Sequence, residues 1–493
     1  MSARRVPTAL AIVAASLPVF MGTLDNLVVT SALPVIGRDL HASIEQLQWF
    51  VNAFTLSFAT FMLLAVSLGD RYGRRRVFLI GIVVFTLSSA ACALSTSPEM
   101  LIVSRAIEGA GAAAIMPLSL TLLVGSVPAT ARNLAIGIWG GVSGLGVALG
   151  PLIGGAVLVG WDWDAIFWIN VPVGIVAVPL ALYALPDSVG VRLRADVLGV
   201  VLAGLGILGV VYGIVNGNSA GWTSPGVLVP LVAGAALLVA FVFCESRVRD
   251  PLLPLRLFRD RSFSVANIVG LTFSFGMFGA VFILIQYLQI VAGVDALGAG
   301  LMTMPWTLSP LFIAPLTGIL SPRVGTRVLI VVGCLLQAAA VGWLALTMTQ
   351  ELHYALMLPG FIAGGIGMGL VFAPISTAVL ANMAPEDNAK ASGANSTIRE
   401  IGVALGIAVV TTVFVGLGGR FTPTGYIEAA VPAVGIGALV LLLAAIAALA
   451  LPSGKGHGAA AAPAVPTHDR AGAAAGLSTA VTHALRRPRT PTP

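Results

Sequence analysis

"SLGDRYGRRR", residues 67–76, brings Asp70, Arg71, Arg74, Arg75 and Arg76 into seven positions of a 493-residue chain that is only 9% charged. Apolar runs at 46–68 and 77–97 flank it, and each has the roughly 20 residues that a helix needs to cross a bilayer. A polar interruption this short is a loop joining two neighbouring membrane helices. Working outward, twelve further runs of the same kind occupy 9–34, 100–124, 134–159, 165–185, 196–216, 225–244, 263–291, 297–320, 327–349, 354–381, 391–416 and 428–451. The hydrophobic fraction of 58% and mean hydropathy of +0.99 lie far above those of soluble domains. The predicted fold is an all-α polytopic membrane protein with fourteen transmembrane helices.

A net charge of +6 would suit a nucleic-acid partner, but its distribution argues for a lipid bilayer instead. With the amino terminus inside, Arg38 and Arg420 are the bases outside and Arg105 and Arg399 lie within spans. All other Lys and Arg fall in inside segments, while the acids divide almost evenly between the two sides. That is the positive-inside signature, which places both termini in the cytoplasm of a cell with this protein in its inner membrane. Arg4 and Arg5 before an apolar stretch mimic a signal peptide, but thirteen later spans favour an uncleaved first helix. Cys92, Cys244 and Cys334 all sit inside spans and read as small buried hydrophobes rather than disulfides. The five His are scattered without metal-ligand spacing, so no metal is expected. No cofactor is expected either. Arg far outnumbers Lys, as in GC-rich bacterial genomes, and residues 453–493 read as a disordered cytoplasmic tail.

The opening stretch recurs. "GILSPRVGTRV" at 318–328 aligns with "VSLGDRYGRRR" at 66–76, an offset of 252, and "GVALG" occurs at both 146–150 and 402–406. Eight helices separate the two charged copies, so both lie on one side. Two halves in parallel repeat are one known transporter architecture. The expected division is a six-helix half at 1–186, two extra helices and a loop at 187–260, a second six-helix half at 261–452, and the tail.

On these residues the chain resembles the major facilitator superfamily, in its fourteen-helix drug:proton antiporter branch. "LGDRYGRRR" matches the loop signature between helices two and three, "RAIEGAGAA" at 105–113 that of helix four, and "GVALGPLIGG" at 146–155 the antiporter signature of helix five. "WDWDAIFWINVPVG" at 161–174 and "DPLLPLRLFRDRSF" at 250–263 are family phrases as well. Val66, Glu108, Asp164 and Glu400 depart from the usual residues. The resemblance implies a monomeric, proton-driven exporter of hydrophobic, often cationic drugs or antibiotics across the cytoplasmic membrane. A dedicated exporter of one endogenous metabolite stays open beside it.

Topology alone does not need Asp70, since acids contribute little to orientation. One carboxylate among guanidinium groups makes charge-assisted hydrogen bonds, and Gly73 permits a tight turn. With the family, Asp70, Arg71, Gly73, Arg74 and Arg75 read as a releasable gate at the cytoplasmic face. In helix five, Gly146, Gly150 and Gly154 form a smooth ridge for another helix, and Pro151 bends the chain beside Gly155. The resemblance adds that this bend seals the two halves against leak.

Asp25, Arg105, Glu108, Arg399 and Glu400 lie within spans, where each costs about 2.5–3.5 kcal/mol unless paired or wetted. They are therefore expected to face a polar cavity and to handle the proton and the cation. At about 1.5 Å per residue, Asp25 and Glu108 fall at one depth, and Arg105 shares a helix face with Glu108. Trp49, Phe54, Trp139, Phe278, Phe282, Tyr287 and Trp306 are candidate aromatic walls of that cavity. "GNSAG" at 217–221 has nucleophile-elbow spacing but follows no strand, and no phosphate-binding GxxxxGK[ST] loop occurs. Nothing in the sequence points to an enzyme.

Overall fold

A computed structural model describes residues 7–452, apart from 129–130, 188–195, 249–250, 252, 385–386 and 421. The predicted tail lies outside the described residues. Helices α1 (Thr8–Asp39), α2 (Ile44–Tyr72), α3 (Arg74–Ala93), α4 (Pro98–Ser126), α5 (Arg132–Gly160) and α6 (Ala165–Ala184) come first. Next are α7 (Val197–Ala220) and α8 (Pro225–Glu245). Then follow α9 (Arg261–Val291), α10 (Ala296–Val324), α11 (Thr326–Thr347), α12 (Tyr354–Leu380), α13 (Asn388–Gly416) and α14 (Pro423–Ala448). Twelve of these are long and apolar enough to cross a membrane as single units, and counting the bent α2 and α5 as one span each brings the number among the described residues to 14. The chain is a multi-pass membrane protein.

Polar residues punctuate this apolar chain. Ser43 opens α2 with a capping box, its hydroxyl accepting from the Gln46 amide at 3.2 Å while Gln46 Oε1 accepts from the Ser43 amide at 2.9 Å. Asp196, Asp260 and Asp295 cap α7, α9 and α10 in the same N-terminal sense. The two related loops fold alike. Gly73 at φ +111° and Gly325 at φ +91° each end one helix and start the next, with the Gly amide donating to the carbonyl four residues back at 3.0 Å. Both positions need the positive φ that glycine adopts freely.

Packing gathers the first six helices around α1 and α4, and the last six around α9 and α12. Between these groups, α5 meets α10 and α2 meets α13; α7 touches both α2 and α13 while pairing with α8. The groups close on each other at the end opposite the Asp70 loop. There α9 finishes in a π-turn (Ala292 donates to the Tyr287 carbonyl), and Gln289 Nε2 donates to the Ser31 carbonyl of α1 at 2.7 Å. Towards the arginine-rich end, Trp139 and Ala135 hold one face of α5 against the first helix group, while on its other face a Cβ placed at Gly140, Gly141 or Gly144 would meet nothing within 4 Å. The molecule is thus shut at one end and open at the other.

Candidate functional site

Three charges meet inside the first six helices. Arg105 Nη1 of α4 donates to Asp25 Oδ2 of α1 and, at 2.7 Å, to Glu108 Oε2 one turn along its own helix. Its Nε donates to the Phe50 carbonyl of α2 at 3.2 Å, and its guanidinium lies 4.4 Å from the Phe54 ring centroid. The other Asp25 oxygen accepts from Asn170 Nδ2 of α6 at 2.9 Å, and Cys92 Sγ of α3 donates to Glu108. Five helices hold one cation against two carboxyls. A single guanidinium with this many fixed acceptors is geometrically specified. Depth reckoned from the sequence brought Asp25, Arg105 and Glu108 together correctly.

Their setting differs from expectation. Arg105 and Glu108 are fully buried and Asp25 is 2% exposed, so the triad faces protein on every side and not a polar cavity. One buried Arg bonds one oxygen of each carboxyl and draws both into the six-helix group, where Asn170 takes the remaining Asp25 oxygen. Asn26, the next residue on α1, is the one that turns to open space. It lines a cavity with Thr23 of α1, Phe54 and Phe58 of α2, Met116 of α4 and Glu400 of α13. Glu400 alone among the lining residues is charged, and it comes from the other helix group. No ion pair among the described residues includes Glu400 or Arg399. Arg399 instead stacks 4.8 Å from the Phe372 ring centroid.

Phe54 joins the two sites. One side of its ring meets Arg105, it lines the cavity, and it is nearly parallel to Phe58 (interplanar angle 6°). The other proposed aromatic walls do different work. Trp49 packs on Tyr212 of α7, and the Trp139 indole donates to Ser119 Oγ at 3.0 Å. Phe282 and Tyr287 are core residues, Tyr287 hydroxyl donating to the Thr349 carbonyl, and Trp306 fills the space beside Gly364 and Gly365. Phe278 packs at the edge of the same core. Helices apolar on all faces carry no periodic signal to separate packed rings from cavity rings. Asn26, Phe58, Met116 and Asn170 were not singled out from the sequence; of these, only Asn170 sits in a recognisable phrase.

In the loop, Arg74 Nε donates to Asp70 Oδ1 at 2.7 Å across the Gly73 turn. Arg75 donates to the Leu182 and Leu185 carbonyls at the end of α6, Arg76 pairs with Asp187 at 3.5 Å, and Arg71 covers Tyr72. All of these partners belong to the first six helices, so the contacts of this loop stay within its own helix group. Asp70→Asn replaces a charge-assisted bond by a neutral one. We expect unchanged insertion and about five-fold slower transport, equivalent to roughly 1 kcal/mol. Efflux measured at equal membrane abundance checks this.

On α5 the ridge is real and its partner is α1. A Cβ at Gly150 would stand 2.6 Å from Leu27 Cβ, and one at Gly154 would stand 3.1 Å from Val28 Cγ1, while Gly146 lies on Thr23. After a 43° bend, Pro151 and Gly155 turn to α10, where Pro151 backs onto Gly300 and Gly155 onto Ala296 and Leu297. One helix thus contacts α1 with one stripe and the opposite group with another.

Comparison with known proteins agrees with this architecture. The chain is 36% identical over 427 residues to the multidrug resistance protein Stp of Mycobacterium tuberculosis, covering 86% of this chain and 79% of that one. It is 34% identical over 431 residues to the tetracenomycin C resistance and export protein of Streptomyces glaucescens, with 87% and 79% covered. Among solved structures, the POT family transporter PepTSo superposes with a TM-score of 0.67 at 16% identity, over 89% of this chain and 97% of that one. The family model described as Major Facilitator Superfamily matches residues 15–407, and the chain belongs to that superfamily.

Proposed function

We propose that this protein is a proton-driven exporter of hydrophobic, often cationic drugs, working by alternating access between its two six-helix halves at 1–186 and 261–452. The names of its relatives as drug and antibiotic resistance proteins support export. The arginine-rich end is the cytoplasmic one by the positive-inside rule, so the open cavity faces the compartment from which an exporter loads. Residues 187–260 add the α7–α8 pair as a separate unit.

One observation carries the mechanism: a carboxylate, Glu400, stands in a largely apolar cavity whose Phe54 wall is shared with the Asp25–Arg105–Glu108 triad. A hydrophobic cation entering from the cytoplasm is held by Glu400 and by the Phe54 and Phe58 rings. Pressing on Phe54, it shifts the guanidinium stacked behind that ring. The Arg105 bonds to Asp25 then rearrange, and Asp25 exchanges its proton with the wetted cavity through the space beside Asn26. Asp70 and its arginines re-form contacts when the cytoplasmic end closes. Cation and proton thus compete for one charge balance, and exchange is the outcome.

Everted vesicles provide the test. Tetraphenylphosphonium added to vesicles holding a proton gradient should release protons, and parent vesicles that show no such release would end the reading. Glu400→Gln should slow tetraphenylphosphonium export at least about ten-fold, a loss of about 1.4 kcal/mol of cation binding, while export of uncharged compounds survives. Equal loss for both classes would make Glu400 structural. A narrow response, limited to a single compound among many, would favour the dedicated exporter.

A further inference from the structure

Alongside its aromatic stripe of Phe50, Phe54 and Phe58, α2 carries a second, polar stripe that the mechanism above leaves unused. Gln48, Asn52 and Thr55 are spaced four and three residues apart and so share one face. None is more than 1% exposed. Even so, the Gln48 side-chain oxygen, both Asn52 amide atoms and the Thr55 hydroxyl have no hydrogen-bond partner among the described residues. The next residue on that stripe, Ala59, accepts from Thr397 Oγ1 of α13 at 3.4 Å. Leu56, one turn from Asn52, packs with Ala404 and Ala408 of α13 and with Val211 of α7. The stripe therefore faces the seam between the halves. Across that seam Thr411, on the α13 stripe shared with Thr397, Ala404 and Ala408, is 1% exposed, and its hydroxyl is equally unpartnered.

Buried polar groups in folded proteins are nearly always bonded, because leaving them without water or a partner is costly. Unpartnered polar atoms on four side chains of the two facing helices of one seam are best explained by a second conformation in which they are not buried. They lie towards the end that is shut here, where α2 begins and α13 finishes. Parting α2 from α13 at that end would wet all four together. We propose that Gln48, Asn52, Thr55 and Thr411 form the polar wall of the exit-side cavity and that they bind the uncharged hydrogen-bonding groups of a departing substrate. This rests on the alternating-access reading. Their unsatisfied burial also works against the shut exit and so helps it to open.

Two measurements test the proposal. In the first, Asn52→Cys and Thr55→Cys are labelled with a membrane-impermeant maleimide added outside intact cells, against the background from Cys92, Cys244 and Cys334. Labelling well above that background is expected in cells exporting tetraphenylphosphonium. Export without such labelling would overturn the proposal, whereas labelling in a parent that exports nothing would uphold the exit wall and reject the drug reading. In the second, Asn52→Leu and Thr55→Val remove the unpartnered groups at near-constant size. Thermal stability should hold or rise while transport per molecule falls about five-fold or more, the equilibrium shift expected from relieving one such group. Unchanged transport, or stability and transport lost together, would overturn it.

Discussion

Asp25→Asn should abolish proton-coupled export while leaving a folded, membrane-inserted protein. Removing one partner of a buried ion pair usually costs about 3–5 kcal/mol, because the surviving charge is stranded. Here Arg105 keeps Glu108 Oε2, so its charge stays paired, and an Asn carboxamide oxygen still accepts from Asn170. The fold is thereby spared. What disappears is a carboxyl next to Asn26 and the cavity that can release and recapture a proton. Glu108→Gln is the informative contrast. It preserves shape and the acceptor for Arg105, leaves the Asp25–Arg105 pair intact, and restores the residue usual in the resembling branch. Its expected effect is an altered pH profile or substrate range with export within a few-fold of the parent. Drug-induced proton movement in vesicles, followed from mildly acid to mildly alkaline pH, separates the two variants. Parent-like exchange by Asp25→Asn would make Asp25 a structural residue.

Gly150→Leu is the second large effect. The missing Cβ of Gly150 would lie 2.6 Å from Leu27 Cβ and 3.4 Å from the Leu24 carbonyl, so α1 must retreat before any side chain fits. Overpacking of this kind costs about 1–3 kcal/mol in ordinary cores. The displaced helix here is also the one that carries Asp25. We expect transport per molecule to fall at least about ten-fold, the kinetic equivalent of roughly 1.4 kcal/mol. Gly160→Leu, where a Cβ meets nothing within 4 Å, should transport as the parent does. Equal tolerance at both positions would mean that α1 and α5 do not stay in contact through the transport cycle.

The fourteen spans were legible because a bilayer imposes a length and a hydropathy that short polar loops interrupt. The depth of Asp25 and Glu108 was legible for the same reason, since rise per residue is fixed. Rotation about each helix axis was not. In α1, Asp25 and Asn26 are neighbours surrounded by apolar residues, and nothing local says which of them meets the cavity. Tertiary bonding decides it, through Arg105 and Asn170. For the same reason Tyr287 and Trp306 could not be told from Phe54: an aromatic ring in an apolar helix packs equally well against protein or open space until its neighbours are known. The unpartnered stripe of α2 was hidden too, because Gln48, Asn52 and Thr55 look like incidental polar residues until their burial is seen.

The α7–α8 pair makes the molecule unequal from side to side. Thr412 of α13 donates to the Ile214 carbonyl of α7, Asn218 of α7 donates back to the Thr412 carbonyl, and the Tyr212 ring packs at a tilt against Trp49 of α2. One flank of a molecule built from two similar halves is therefore strapped and covered, while among the described residues no such hairpin covers the flank formed by α5 and α10. Greasy compounds concentrate in the bilayer leaflets before they ever reach water. On the uncovered flank, the face of α5 at Gly140 and Gly144, where a Cβ would meet nothing within 4 Å, is the side left for compounds arriving from the inner leaflet. The extra hairpin gives the transporter a handedness towards lipid that its internal repeat would otherwise cancel.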